Sequence, residues 1–448
     1  MGVLLRGGAI VLRDTLIEAD VLIEDGKIRK VGKSIDSGYS KTVDLRGKLI
    51  MPGAVDPHLH GREPGLEYKD DFLHTSKAAL LGGVTTVLEM PNTIPPVDSP
   101  SKLLDKKSIL SSKSYVDFGL YAVLYDYADD PGLLDSRIVE LVESGALAFK
   151  AFMAQTTGNL PPPSFMTIHR ALELSKKLGY TVVFHAEDRS CVEFFTFRAR
   201  KEGKGGLRGY SEARPPLCEE LSIGYIVSIA EATNGRAYIA HLSTASALGV
   251  ISKHKKASAG IYVEVTPTYL FFDYDKHESL GALVKVNPPI RDYKNRVRLW
   301  AALARGLIDV VASDHAPHAE HEKKGDFWEA AAGVASVQHL LPLMLTSALD
   351  GFIPLGKVVE LCSENPAKIF GLYPTKGSLL PGADADIVAV DPAAEFVVEK
   401  ESLAYKNKLS PYTGWKLRGR IDKVFLRGEL VVDGGNIVVE RPTGKALR

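Results

Sequence analysis

Cysteine is scarce in this chain and never paired locally. Cys191, Cys218 and Cys362 are the only three in 448 residues, and none stands in a CxxC spacing. That scarcity argues against a thiolate zinc site and a disulfide framework, and predicts three buried, reduced thiols. An excess of either charge is also missing, because 55 Lys plus Arg balance 55 Asp plus Glu. Neutrality removes the electrostatic footprint of a nucleic-acid or anionic-membrane binder. No run approaches the roughly 20 uncharged apolar residues of a membrane span. Residues 1–7 lack the apolar core and cleavage site of a signal peptide. The expectation is a cytoplasmic, soluble protein with neither nucleic acid nor an anionic membrane as partner.

What is present is a change of texture along the chain. The first fifty residues read as short strands such as 10–12 and 21–23, with Glu24-Asp25-Gly26-Lys27 as a hairpin turn. The last seventy read the same way, with strands at 387–390, 423–426 and 429–432 and a turn at 433–436. Two β-rich ends predict one small β-sandwich domain assembled from residues 1–51 and 376–448. Between them, 52–375 alternates apolar strand-like runs with helical patterns. Strands are predicted near 49–57, 84–90, 116–124, 146–152, 180–185, 236–241, 260–266 and 308–313, and helices at 131–144, 165–178, 219–233 and 334–349. Eight such units place the chain in the α/β class as a (β/α)8 TIM-type barrel. A doubly wound sheet would carry a glycine-rich loop after its first strand. Gly82-Gly83-Val84-Thr85-Thr86 has its glycines before the strand instead.

Several predicted strands finish on residues that bind metals. His58 and His60 are two apart, so an extended strand points both the same way and they can grip one ion. An isolated His-x-His also arises on exposed strands; here it follows an apolar strand entered through Pro52-Gly53. Lys150 lies within Leu147-Ala148-Phe149-Lys150-Ala151-Phe152-Met153. A lysine there either snorkels, pairs with an acid, or loses its charge to desolvation. The neutral amine can add carbon dioxide, and the resulting carbamate can bridge two ions roughly 3.5–4 Å apart. His185 and His241 each end an apolar run; either alone reads as a core histidine, but two beside His-x-His read as ligands. Asp314 closes Val310-Val311-Ala312-Ser313. It serves either as a helix cap or as a ligand that accepts a proton from water. His315 is expected just behind the ligands and His318 near a substrate. His74, His169, His254, His277, His321 and His339 lack this context and read as surface or packing residues.

Four segments carry a resemblance: Asp56-Pro57-His58-Leu59-His60-Gly61-Arg62-Glu63-Pro64-Gly65, Met90-Pro91-Asn92-Thr93-Ile94-Pro95-Pro96, Val286-Asn287-Pro288-Pro289-Ile290-Arg291 and Ser313-Asp314-His315-Ala316-Pro317-His318. With them the chain resembles the dihydroorotases of the amidohydrolase superfamily, over nearly its whole length. The resemblance implies a first metal on His58, His60 and Asp314, a second on His185 and His241, and carbamylated Lys150 between them. The cofactor would be Zn2+, one or two ions per subunit; manganese or cobalt suits the same ligands. Arg62, Asn92 and His318 would bind the carboxylate of dihydroorotate and Asn287 a ring amide. The implied reaction is the reversible cyclisation of N-carbamoyl-L-aspartate to L-dihydroorotate plus water, a step of pyrimidine biosynthesis. In the hydrolytic direction a metal-held hydroxide attacks the ring and Asp314 shuttles the proton. Residues 154–161 read as a lid, and the barrel's outer helices offer surfaces for a homo-oligomer.

Two alternatives stay open. The chain departs from dihydroorotases after Gly333, where Val334-Ala335-Ser336-Val337-Gln338-His339-Leu340-Leu341 reads more like the hydantoinases. A hydantoinase, dihydropyrimidinase or allantoinase is therefore the second reading, although those relatives usually carry a tyrosine where Gln155 stands and lack the Arg62/Asn92 pair. The third is a catalytically silent scaffold, which would normally have lost ligands.

Overall fold

A computed structural model describes residues 2–13, 15–36, 41–127, 129–154, 160–255 and 260–448. The N-terminal strands are β1 (Val3–Val11), β2 (Leu16–Glu24), β3 (Lys27–Gly32), β4 (Lys41–Asp44) and β5 (Leu49–Pro52). The hairpin expected at 24–27 joins β2 to β3. Asp25 (φ 52°) and Gly26 (φ 75°) supply the two left-handed residues that such a two-residue turn needs.

Eight parallel strands then follow in order: β6 (Ala54–Leu59), β7 (Val84–Glu89), β8 (Asp117–Val123), β9 (Ala146–Phe152), β10 (Thr181–His185), β11 (Ala237–Ile239), β12 (Ile261–Val265) and β13 (Val310–Val311). Each pairs with its sequence neighbour. The ring closes where Leu59 bridges His315 and the His60 amide donates to the His315 carbonyl at 2.8 Å. Strands covered on both faces read as continuous apolar runs rather than alternation, which is why seven of the eight were visible in the sequence as single runs; the run expected at 49–57 is instead β5 of the terminal sheet followed by the start of β6. Leu88, Tyr121, Val183, Tyr238, Val310 and Phe370 form a separate buried cluster drawn largely from these strands. Side chains fill such a barrel, leaving room for chemistry at the strand ends.

The chain returns to the first sheet through β14 (Ile387–Val397), β15 (Lys416–Leu426), β16 (Glu429–Asp433) and β17 (Asn436–Ile437). β14 pairs antiparallel with β5, so both termini share one nine-stranded sheet. A buried ionic cluster ties this sheet to the barrel. The Lys376 ammonium lies 2.5, 2.9 and 2.7 Å from carboxylate oxygens of Asp117, Asp384 and Asp386, and Arg427 also pairs with Asp117.

Helix Phe165–Leu178 matches its predicted span, opened by the Ser164 cap and ended at left-handed Gly179. Helix Pro131–Glu143 also matches, and Pro216–Thr233 begins three residues earlier than expected. The helix expected over 334–349 begins only at Leu340, after a 3-10 turn at Val337–His339. Val334 is extended because it pairs with His315, its carbonyl accepting from the Ala316 amide at 2.9 Å.

The expectation of three reduced thiols is corrected. Cys191 and Cys218 form a disulfide, while Cys362 is free and buried. The 27-residue separation gave no hint of this. The first turns of helices Arg189–Lys201 and Pro216–Thr233 lie side by side, with the Asp188 amide donating to the Cys218 carbonyl at 2.8 Å. The two Cα atoms are 5.3 Å apart, within bridging range. Among the described residues no helix is long and apolar enough to cross a membrane.

Candidate metal centre

The six proposed ligands converge on one cavity at the ends of the barrel strands, together with Arg62, Asn92 and Asn287. His58 lies within β6 and His60 just beyond it, Lys150 within β9, and His185 ends β10. His241 and Asp314 sit two and three residues past β11 and β13. The backbone is left-handed at Arg62 (φ 65°), His241 (φ 38°) and Asp314 (φ 43°). Non-glycine residues pay a steric penalty there, and such strain gathers at functional sites. Three strained residues on one cavity fit that pattern.

Neighbouring acceptors orient the imidazoles. His58 Nδ1 lies 2.8 Å from Glu264 Oε1, and His185 Nε2 lies 3.0 Å from Glu187 Oε2. A carboxylate only accepts, so these nitrogens carry the protons and the opposite nitrogens offer lone pairs. His58 Nε2 is thereby aimed at Asp314 Oδ1 (3.3 Å) and at Lys150 Nζ (3.4 Å). His185 Nδ1 is aimed at His241 Nε2 (3.0 Å). His60 Nδ1 donates to Asn92 Oδ1 at 2.9 Å, leaving Nε2 3.4 Å from Asp314 Oδ1. Glu187 is held by Arg214, whose Nε donates to Oε1 at 3.1 Å. Glu264 also accepts from the Tyr238 hydroxyl and the His241 amide, each at 2.8 Å.

Burial sets the protonation states. It pulls the His60 imidazole down to about 3 and His241 well below the usual histidine range. Burial also pulls Lys150 down to about 8, against the opposing charges of Glu264 and Asp314. For Asp314 burial favours the neutral acid, but His58, His60 and His241 outweigh it and hold the carboxyl far below the ordinary range.

These residues fit a divalent cation. His58, His241 and Asp314 bring their ligand atoms within 4.8 Å of one another. His241 Nδ1 is buried with no hydrogen-bond partner among the described residues. A buried orphan nitrogen is costly in a purely structural role, whereas nitrogen and carboxylate donors around one point are what a zinc-type ion takes. Two other acidic groups do not call for an ion. Asp117, Asp384 and Asp386 already surround the Lys376 ammonium, and Asp71 beside Asp70 caps helix Phe72–Leu81.

One predicted site residue stands elsewhere than expected. His318 does not line the cavity; its Nε2 lies 3.3 Å from Arg62 Nη2. His315 is buried next to the ligand His60, its carbonyl accepting from the His60 amide at 2.8 Å and its Nδ1 from the Ser336 amide at 3.1 Å. Gln155 and most of the expected lid lie outside the described residues. Sequence reading missed Glu187 and Glu264. The signals were there: Glu264 is the one acid in Ile261-Tyr262-Val263-Glu264-Val265, and Glu187 follows His185 by two residues.

Arg62 is buried beside the ligands. Its Nε donates to the Pro317 carbonyl at 3.0 Å. Among the described residues no carboxylate oxygen lies within 4.0 Å of it, but the charges of Glu89, Asp314, Glu322 and Asp70 work against the effect of its burial.

Comparison with known proteins adds a family context. The amidohydrolase family model matches residues 49–431. An allantoinase of Rubrobacter xylanophilus is 33% identical over 99% of this chain and 97% of its own length. A dihydroorotase of Methanosarcina mazei is 35% identical, again over 99% and 97%. The L-hydantoinase (dihydropyrimidinase) structure from Arthrobacter aurescens superposes with a TM-score of 0.94 at 30% identity, covering 99% of both chains.

Proposed function

The chain belongs to the amidohydrolase family, as a metal-dependent hydrolase of cyclic amides, and from that premise we propose that its substrate is L-dihydroorotate, formed reversibly from N-carbamoyl-L-aspartate. The observation that carries this reading is Arg62. Its buried guanidinium has no carboxylate within ion-pair distance among the described residues, although Glu89, Asp314, Glu322 and Asp70 offset part of the cost of burial, and a substrate carboxylate can satisfy it through a bidentate pair. Allantoin, hydantoin and dihydrouracil bring no such anion.

Two divalent ions, zinc by preference, would be held by His58, His60 and Asp314 on one side and by His185 and His241 on the other, with carbamylated Lys150 between them. When bound, such ions supply Lewis acidity, acidifying water and polarising the ring carbonyl. Lys150 is suited to carbamylation because burial leaves a share of neutral amine. Arg62 fixes the ring by its carboxylate. His318 acts through Arg62, and Asn92 steadies the His60 imidazole by accepting from its Nδ1. Asp314 accepts the proton of the attacking water and delivers it to the leaving ring nitrogen. Reversal of the same transfers joins the carbamoyl nitrogen to the carboxyl carbon and releases water.

A neutral-ring substrate is the second reading, favoured by relatives named allantoinase and L-hydantoinase. One assay separates the two: hydrolysis of L-dihydroorotate, dihydrouracil, hydantoin and allantoin by metal-loaded protein. Preference for dihydroorotate is expected. Turnover of the neutral rings alone would remove Arg62 from substrate binding and leave the metal centre intact.

A further inference from the structure

Tyr210 stands outside the catalytic cavity but is tied to it. It belongs to helix Gly206–Ala213, is 8% exposed, and donates its hydroxyl proton to Asn287 Oδ1 at 2.6 Å. Asn287 lines the cavity. The phenol ring has little freedom. The ring centroids of Phe327 and Trp328 are each 5.7 Å away, and Lys285 Nζ lies 4.7 Å over its face. Lys285 is fixed in turn by the carbonyls of Phe327, Trp328 and Ala330, at 2.7, 3.0 and 2.5 Å. Arg214, which also approaches the phenol, has only donors to offer, so the phenol proton is directed at Asn287.

We propose that Tyr210 is a positioning residue: it locks the Asn287 amide with its nitrogen toward the cavity and makes that corner selective for a substrate oxygen. The inference rests on the cyclic-amide reading above and sharpens it. A side-chain amide has one accepting end and one donating end. With the oxygen held by the phenol, the nitrogen end is left for substrate. A ring carbonyl or carboxylate oxygen can meet it, and a ring N–H cannot. Asn287 therefore reads the carbonyl side of the ring amide, not its hydrogen. Because the ring of Tyr210 is packed on several sides, the amide is set before substrate arrives, and no ordering cost falls on binding.

Wild type, Tyr210→Phe, Asn287→Ala, Asn287→Asp and the double variant Tyr210→Phe/Asn287→Ala are compared on whichever of the four rings the wild type hydrolyses fastest. Metal content and melting temperature are measured alongside. In Tyr210→Phe, KM is expected to rise roughly tenfold, the effect of one hydrogen bond, with kcat held within about twofold and metal content unchanged. The double variant is expected to be no worse than Asn287→Ala, because Tyr210 acts only through that amide. Asn287→Asp can still accept from Tyr210 but turns an oxygen to the cavity, and should lose more than about tenfold in kcat/KM. Multiplying effects in the double variant, or an unmoved KM in Tyr210→Phe, would overturn the inference alone. Should Tyr210→Phe fail to fold, Asn287→Asp decides by itself, since wild-type kcat/KM there contradicts the donor role. A wild type inert on all four rings overturns the functional reading and this inference with it.

Discussion

Arg62 and His241 occupy the same cavity on strained backbone, yet they are assigned separable tasks. If Arg62 pairs with a substrate carboxylate, Arg62→Lys keeps the charge but loses the planar fork. The expected result is a KM for dihydroorotate raised about 10- to 100-fold, the range for hydrogen bonds to a charged group. Bound metal, measured by elemental analysis, should not change. His241→Ala is expected to lose metal and activity together, because the backbone that places His241 cannot recruit another nitrogen. Wild-type metal content in that variant would remove His241 from the ligand set.

At the level of strands and helices, the site depends on acids one layer back. Glu264 on β12 holds His58 Nδ1, the Tyr238 hydroxyl and the His241 amide at once. Glu264→Gln keeps the shape and removes the charge that fixes the His58 tautomer. Metal affinity, measured by competition with a chelator, should fall about 10- to 100-fold. The disulfide joins two helices whose first turns flank Glu187 and Glu219. Glu187 orients His185, and Glu219 accepts from the Ser243 amide and hydroxyl near His241. Closing a loop of that length constrains the unfolded chain by about 3–4 kcal/mol. Reduction with a phosphine should therefore lower the melting temperature and raise the titratable thiols in denaturant from one to three.

Across the whole molecule, the Lys376 cluster is the polar joint between barrel and terminal sheet. Burial alone would lower the Lys376 pKa, but Asp386, Asp117 and Asp384 outweigh it and raise it above its ordinary 10.5. A lysine with a higher pKa folded than unfolded contributes stability that is complete below about pH 10.5 and is lost as pH rises through the folded value. Lys376→Met leaves buried carboxylates short of a cation and should cost about 3–5 kcal/mol in denaturant titration at neutral pH. The stability that wild type loses on going alkaline should shrink in the variant. Equal stability of the two proteins at neutral pH would reduce the cluster to a passive contact.

The sequence by itself determined the strand order, the class of barrel and the candidate ligands. A strand buried on both faces must be a short apolar run, and a polar residue ending such a run is conspicuous. His58, His60, Lys150, His185, His241 and Asp314 were legible for that reason. Only the tertiary structure decided which nitrogen of each histidine faces the centre, that His318 stands beside Arg62, and that Cys191 meets Cys218. Those facts depend on contacts between residues far apart in the chain, such as His58 with Glu264 or Tyr210 with Asn287. Local pattern records which face a side chain takes. It holds no record of the partner that waits across the barrel.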